Sequence, residues 1–191
     1  MPFEYEVIAE AREHGTRLTV GTPQRWLSTR GHLDPVVQRE AAPELLDVLE
    51  DLHRALGGNL AALAKRPIQH QQSDLVTSTG QLIELDEVQH FTSARWDTLT
   101  RYPTMFSFGF SIDYYRTLID TWKAKANAVF TRQWSPDFDF SGGRRAQRAY
   151  FDAVKDLLAP TFTGHDLIRI PVLDRDPARA ARSIAIIARA A

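Results

Sequence analysis

The chain has no cysteine at all among its 191 residues. Disulfides, thiolate metal ligation and a cysteine nucleophile are thereby excluded, so any metal must be held by carboxylates, histidine or backbone oxygens. It also lacks a run of about 18 apolar residues, and its first residues, "MPFEYEVIAEAREHG", do not follow the basic-then-apolar order of a signal peptide. A cytoplasmic protein without a membrane partner is expected. No glycine-rich phosphate loop, no Gly-x-Ser-x-Gly and no histidine pair at zinc spacing occurs, which leaves out the commonest nucleotide, esterase and zinc-protease signatures. There is no internal repeat and no low-complexity tract.

What is present suits one ordinary globular core: 43% hydrophobic residues, 10% aromatics and a net charge of -1. The mean conceals a gradient. Residues 140–191 carry nine cations, Lys155 and eight Arg including Arg144, Arg145, Arg148, Arg169 and Arg175, against five Asp, a local charge of +4. Such a third of a chain fits either phosphate contacts or arginines solvated on helix faces.

Start and stop signals place the helices. Asp34-Pro35 and Pro43 open two of them, and the second carries a Leu45, Leu49, Leu52, Leu56 stripe stopped by Gly57-Gly58. "LAALAKRP" predicts a short helix, and "SARWDTLTRY" and "SIDYYRTLIDTWKAKANAVF" predict two more. "RQWSPDFDFSGG" reads as a loop, "RRAQRAYFDAVKDLLA" as an amphipathic helix and "DLIRIPVL" as a strand. A last helix starts at Asp176-Pro177, with Ala181, Ile184, Ala185, Ile187 and Ala188 on one side. The order of helix, hairpin, helix, strand and helix predicts a single α/β domain.

The stretch "DLVTSTGQLIELDEVQHF", residues 74–91, is the most informative. It reads as two strands, 73–77 and 81–87, joined by a short loop in which Gly80 takes the position that needs positive φ. "LIELDEV" is apolar enough for an interior strand, yet Glu84 and Asp86, two apart, project from one face. If Thr77 pairs with Gln81, Asp74 lies directly opposite Glu84 with Cβ atoms roughly 5 Å apart. Facing carboxylates destabilise a hairpin unless a positive group lies between them, and a divalent cation is the economical candidate. The alternative is that the acids are solvated at a sheet edge.

An Asp opening one strand, a hairpin, and an apolar strand "LIELDEVQHF" with a nearby His resemble the PD-(D/E)XK nuclease superfamily, nearest to the group around the very-short-patch repair endonuclease. The resemblance implies a restriction-endonuclease-like fold, a central mixed β-sheet flanked by helices, with its core at about 43–91 and 144–171 and a helical insertion at about 92–143. It implies metal-dependent hydrolysis of phosphodiester bonds in nucleic acid, DNA, with Mg or Mn held by Asp74 and Glu84 and a secondary contribution from Asp86. Glu44, in "PELLDVLEDL", stands where many members offer a further Glu from the first core helix. The Lys that members carry two residues after the second acid is Asp86 here, and His90, Arg148 or Lys155 is expected to substitute.

Gln89 orients water, contacts a phosphate or is a surface residue. His90 is a proton-transfer group or a structural histidine. Arg144, Arg145 and Arg148, at the start of a helix, are expected to meet nucleic-acid phosphates. Tyr114, Tyr115, Trp122 and Trp134, interleaved with Arg116, Lys123, Lys125 and Arg132, are either core or a stacking surface. A homodimer is left open. The reading from a different class is a nuclease-fold protein that binds nucleic acid or a protein partner without turnover.

Overall fold

The computed structural model describes residues 1–190, with side chains described as far as Ile187. Ala188 of the last helical stripe, Arg189 of the basic third and Ala191 lie outside that description. Four strands, β1 (Leu18–Val20), β2 (Leu75–Thr77), β3 (Leu82–Asp86) and β4 (Ile168–Pro171), form one sheet in the order β1-β2-β3-β4. The first three pair antiparallel and β4 runs parallel to β3, so the sheet is mixed. The helices are α1 (Phe3–Glu13), α2 (Pro35–Glu40), α3 (Pro43–Ala55), α4 (Leu60–Ala64), α5 (Ser93–Leu99), α6 (Ile112–Val129), α7 (Gly143–Thr163) and α8 (Pro177–Ala190).

Local chemistry accounts for the boundaries. Asp34 caps α2 by accepting from the Val36 amide at 2.8 Å, with Pro35 in the first turn, and Ser111 caps α6 through the Tyr114 amide at 3.2 Å. The β2–β3 loop closes with the Gly80 amide donating to the Thr77 carbonyl at 3.0 Å, and Gly80 takes φ +90. The hairpin has the expected register: Leu75 faces Ile83, Val76 faces Leu82, and the Thr77 amide donates to the Gln81 carbonyl at 3.0 Å.

The strict two-residue alternation of β3 sorts its side chains. Ile83 and Leu85 join Leu18, Leu75, Ile168 and Ile170 in a core shared with Phe3, Val7 and Ala11 of α1 and Ala181 and Ile184 of α8. Leu82, Glu84 and Asp86 therefore face α7. On that side a larger core gathers the leucine stripe of α3, Ala149, Tyr150, Val154 and Leu158 of α7, and Leu99, Tyr102, Tyr115 and Ile119.

Two expectations change here. The first 33 residues, expected outside the core, supply the outer strand β1 and the helix that covers one face of the sheet. The α3 helix, expected as the first core helix, packs against α7 instead, because its stripe is matched by the apolar side of that helix. The segment expected as an insertion does contain α5 and α6, and its buried residues are continuous with the core. Tyr115 is 1% exposed, which places it in the core, whereas Tyr114 and Trp134 are exposed.

Ile83 is wholly buried between the sheet and α1–α8, while Ile186 is 70% exposed on α8. Ile83→Ala should cost about 2–5 kcal/mol and Ile186→Ala less than about 0.5 kcal/mol, measured by denaturant unfolding.

Candidate active site

A cleft of about 360 Å³ opens between the end of the hairpin, the side of α7 and the start of α1; Asp74, Glu84, His90, Arg148, Asp152 and Lys155 are among its lining residues. Asp74 lies just before β2, where the ladder has ended, and its Oδ2 accepts from the Leu85 amide at 2.7 Å. The side chain thus replaces a backbone acceptor and is fixed beside Glu84.

Glu84 is 3% exposed. Lys155, two residues past the centre of α7, donates to its Oε2 at 2.7 Å, and Oε1 is buried with no hydrogen-bond partner. Burial pushes the Glu84 carboxyl up from 4.5 to about 7; Lys155 opposes the shift and Asp74 adds to it. Asp74 is raised as well, mainly by burial, against the pull of the Leu85 amide and Lys155. Burial would lower Lys155, but Glu84 outweighs it and holds the ammonium charged. Among the described residues Lys155 pairs with Glu84 alone, while the Asp74 side chain is bonded to the Leu85 amide, so one oxygen of Glu84 is left without a partner.

Asp86, on the same strand face, has the opposite surroundings. It is wholly buried; Arg169 donates to its two oxygens at 2.9 and 3.0 Å and the Tyr115 hydroxyl donates at 2.8 Å. Arg169 also binds Asp156 at 2.6 Å and Asp152 at 3.2 Å, and Arg95 reaches Asp156 at 2.6 Å. His90 adds contacts to Asp152 at 3.1 Å and Asp86 at 3.3 Å. Despite burial, Arg169 and His90 hold Asp86 below the ordinary carboxylate range. Burial would lower His90, but the carboxylates of Asp86 and Asp152 outweigh it and raise the imidazole above its ordinary value.

The remaining expected residues separate. Gln89 lines the cleft and donates to Glu87 at 3.0 Å. Glu44 is exposed in the first turn of α3 and does not line the cleft, as follows from the packing of α3 on α7. Asp86 is committed to Arg169 and likewise does not line it. Arg144 and Arg148 reach the cleft, whereas Arg145 does not. The first amides of α7 are engaged: those of Gly143, Arg144 and Arg145 donate to the carbonyls of Phe140, Gln133 and Gly142. Any phosphate contact there would come from side chains alone.

Arg169, read from sequence as a surface or phosphate-binding residue, is an interior ion-pair partner. Its signal was a single cation inside the apolar "LIRIPVL", the counterpart of Glu84 and Asp86 inside "LIELDEV". Asp152 and Asp156, four apart amid the apolar positions of α7, carried the matching signal.

Residues 51–184 match the family of unknown function DUF7255. The chain belongs to this family. The DUF7255 span takes in β2, β3, α7 and β4 with Asp74, Glu84, His90, Lys155 and Arg169; α1 and β1 precede it. No curated protein and no solved structure matches the chain.

Two outcomes test these assignments. Arg169→Leu leaves three buried carboxylates without their shared partner and should cost about 3–5 kcal/mol in denaturant unfolding. The Glu84 carboxyl binds its proton more tightly folded than unfolded, so its contribution favours folding below pH 4.5 and is lost as pH rises through about 7. Glu84→Gln should therefore lose less stability than wild type between pH 5 and pH 8.

Proposed function

We propose that this chain is a metal-dependent endonuclease that hydrolyses phosphodiester bonds in nucleic acid, with DNA as the substrate class. The observation that carries the reading is the buried, half-satisfied Glu84: one oxygen on Lys155, the other without a partner, facing Asp74 across the hairpin. The parallel pairing of β4, which follows α7, with β3 of the acidic hairpin supports the reading.

The donor set fits a hard divalent cation. Asp74 and Glu84 supply oxygens of raised proton affinity, one of them, Glu84 Oε1, without a hydrogen-bond partner. Among the described residues no group of three His, Asp or Glu side chains is placed to hold a metal ion. A cation there would therefore be held through one or two carboxylates and keep several waters, as Mg²⁺ or Mn²⁺ does. When bound, it would lower the pKa of a water and offset charge on the phosphate.

Lys155 takes the part of the Lys replaced by Asp86, delivering an ammonium to the second acid from α7 rather than from β3. Held charged by Glu84, it steadies negative charge developing at the phosphate. Arg144 and Arg148, on the same face of α7, attract the strand. His90, in hydrogen-bond contact with Asp152, forms part of the cleft wall.

Titration calorimetry with Mn²⁺ should show binding that Asp74→Ala and Glu84→Ala abolish, together with cleavage of plasmid and oligonucleotide substrates. Lys155→Ala should retain Mn²⁺ binding and lower the rate by about 10²- to 10³-fold. Metal-loaded protein that leaves single-stranded, duplex and RNA substrates intact would overturn the enzyme reading in favour of a nuclease-fold binding protein.

A further inference from the structure

Arg175, in the turn after β4, has φ +50 and is the one non-glycine residue with positive φ among the described residues. This backbone conformation is disfavoured for any residue with a Cβ and persists where the surroundings over-determine it. Three contacts do so. The Arg175 amide donates to the Val172 carbonyl at 3.2 Å, the guanidinium lies 4.9 Å from the centre of the Phe3 ring, and Nη1 donates to Glu87. Glu87 is itself held by Gln89. Yet the Arg175 side chain remains 58% exposed and lines the same cleft as Asp74, Glu84 and Lys155.

We propose that Arg175 binds a phosphate of the substrate strand, from a wall of the cleft separate from α7. The inference rests on the phosphodiester reading above and adds to it a residue that the nuclease resemblance does not supply. Its Nε and Nη2 make no hydrogen bond to the described residues, so one edge of the planar fork is free for the paired oxygens of a phosphate, which arginine matches better than lysine does. Phe3 and Glu87 fix the plane of that fork beforehand, so little side-chain freedom is lost on binding.

Fluorescence anisotropy of a labelled oligonucleotide, single-stranded and duplex, with Ca²⁺ in place of Mg²⁺, tests the assignment on the full chain. Arg175→Asn suits the test because asparagine tolerates positive φ, so the melting temperature should be unchanged or higher. Arg179→Asn removes the same charge four residues on, where Arg179 pairs with Asp174 outside the cleft. Arg175→Asn should weaken binding by about tenfold or more relative to Arg179→Asn and reduce the salt slope by about 1. Arg175→Lys, which keeps the charge, should still lose several-fold. Equal affinities for the Arg175→Asn and Arg179→Asn proteins would overturn the role of Arg175 and leave the nuclease reading standing. Wild-type protein that binds neither oligonucleotide would overturn both.

Discussion

The guanidinium of Arg169 joins the sheet to the helix that covers it. From the middle of β4 it reaches Asp86 on the neighbouring strand and Asp152 and Asp156 on α7, and Arg95 and His90 complete the cluster. Two guanidinium groups and the His90 imidazole meet three carboxylates with little access to water. Each charge is costly alone and tolerable only because every partner is present. The cluster sets the distance and rotation of α7 over the sheet, and hence where Lys155 and Arg148 emerge at the cleft.

A few ångströms along the same strand face the balance is different. Glu84 has Lys155 as its one ion-pair partner among the described residues, Asp74 lies beside it on the Leu85 amide, and a Glu84 oxygen is left unpaired. The closed cluster explains itself by folding. The open one does not, since a buried orphan oxygen carries a desolvation cost that the fold leaves unrelieved. The contrast between two acidic positions two residues apart, one satisfied and one not, is the main physical argument for a ligand at Glu84 and against one at Asp86.

Side-chain placement around the cleft follows from helical and strand periodicity. Arg144, Arg148 and Lys155 are spaced by four and seven residues, so they share one face of α7 and span about 16 Å along it. Asp152 lies between them and turns to Arg169 and His90. Hydrophobic partition does the rest: α1 and α8 seal the far side of the sheet, and the α3 stripe seals the outer side of α7.

Much of this was legible in the sequence, because it depends on local rules. Turn chemistry at Gly80 and the two-residue alternation of β3 sufficed for the hairpin register and for Glu84 and Asp86 sharing a face. Asp-Pro and Pro signals sufficed for the starts of α2, α3 and α8. The N-terminal helix and strand were not legible, since α1 has only a weak apolar side and β1 is three residues long. The division of labour between Glu84 and Asp86 was not legible either. Both are acids in identical local settings, and what separates them is which residue of α7 or β4 arrives opposite: Lys155 for one, Arg169 for the other. The sequence by itself determined which residues carry charge into an apolar strand and on which face. Only the tertiary structure decided which charges cancel, because the cations that meet Glu84 and Asp86 lie 71 and 83 residues away, at positions set by packing rather than by spacing.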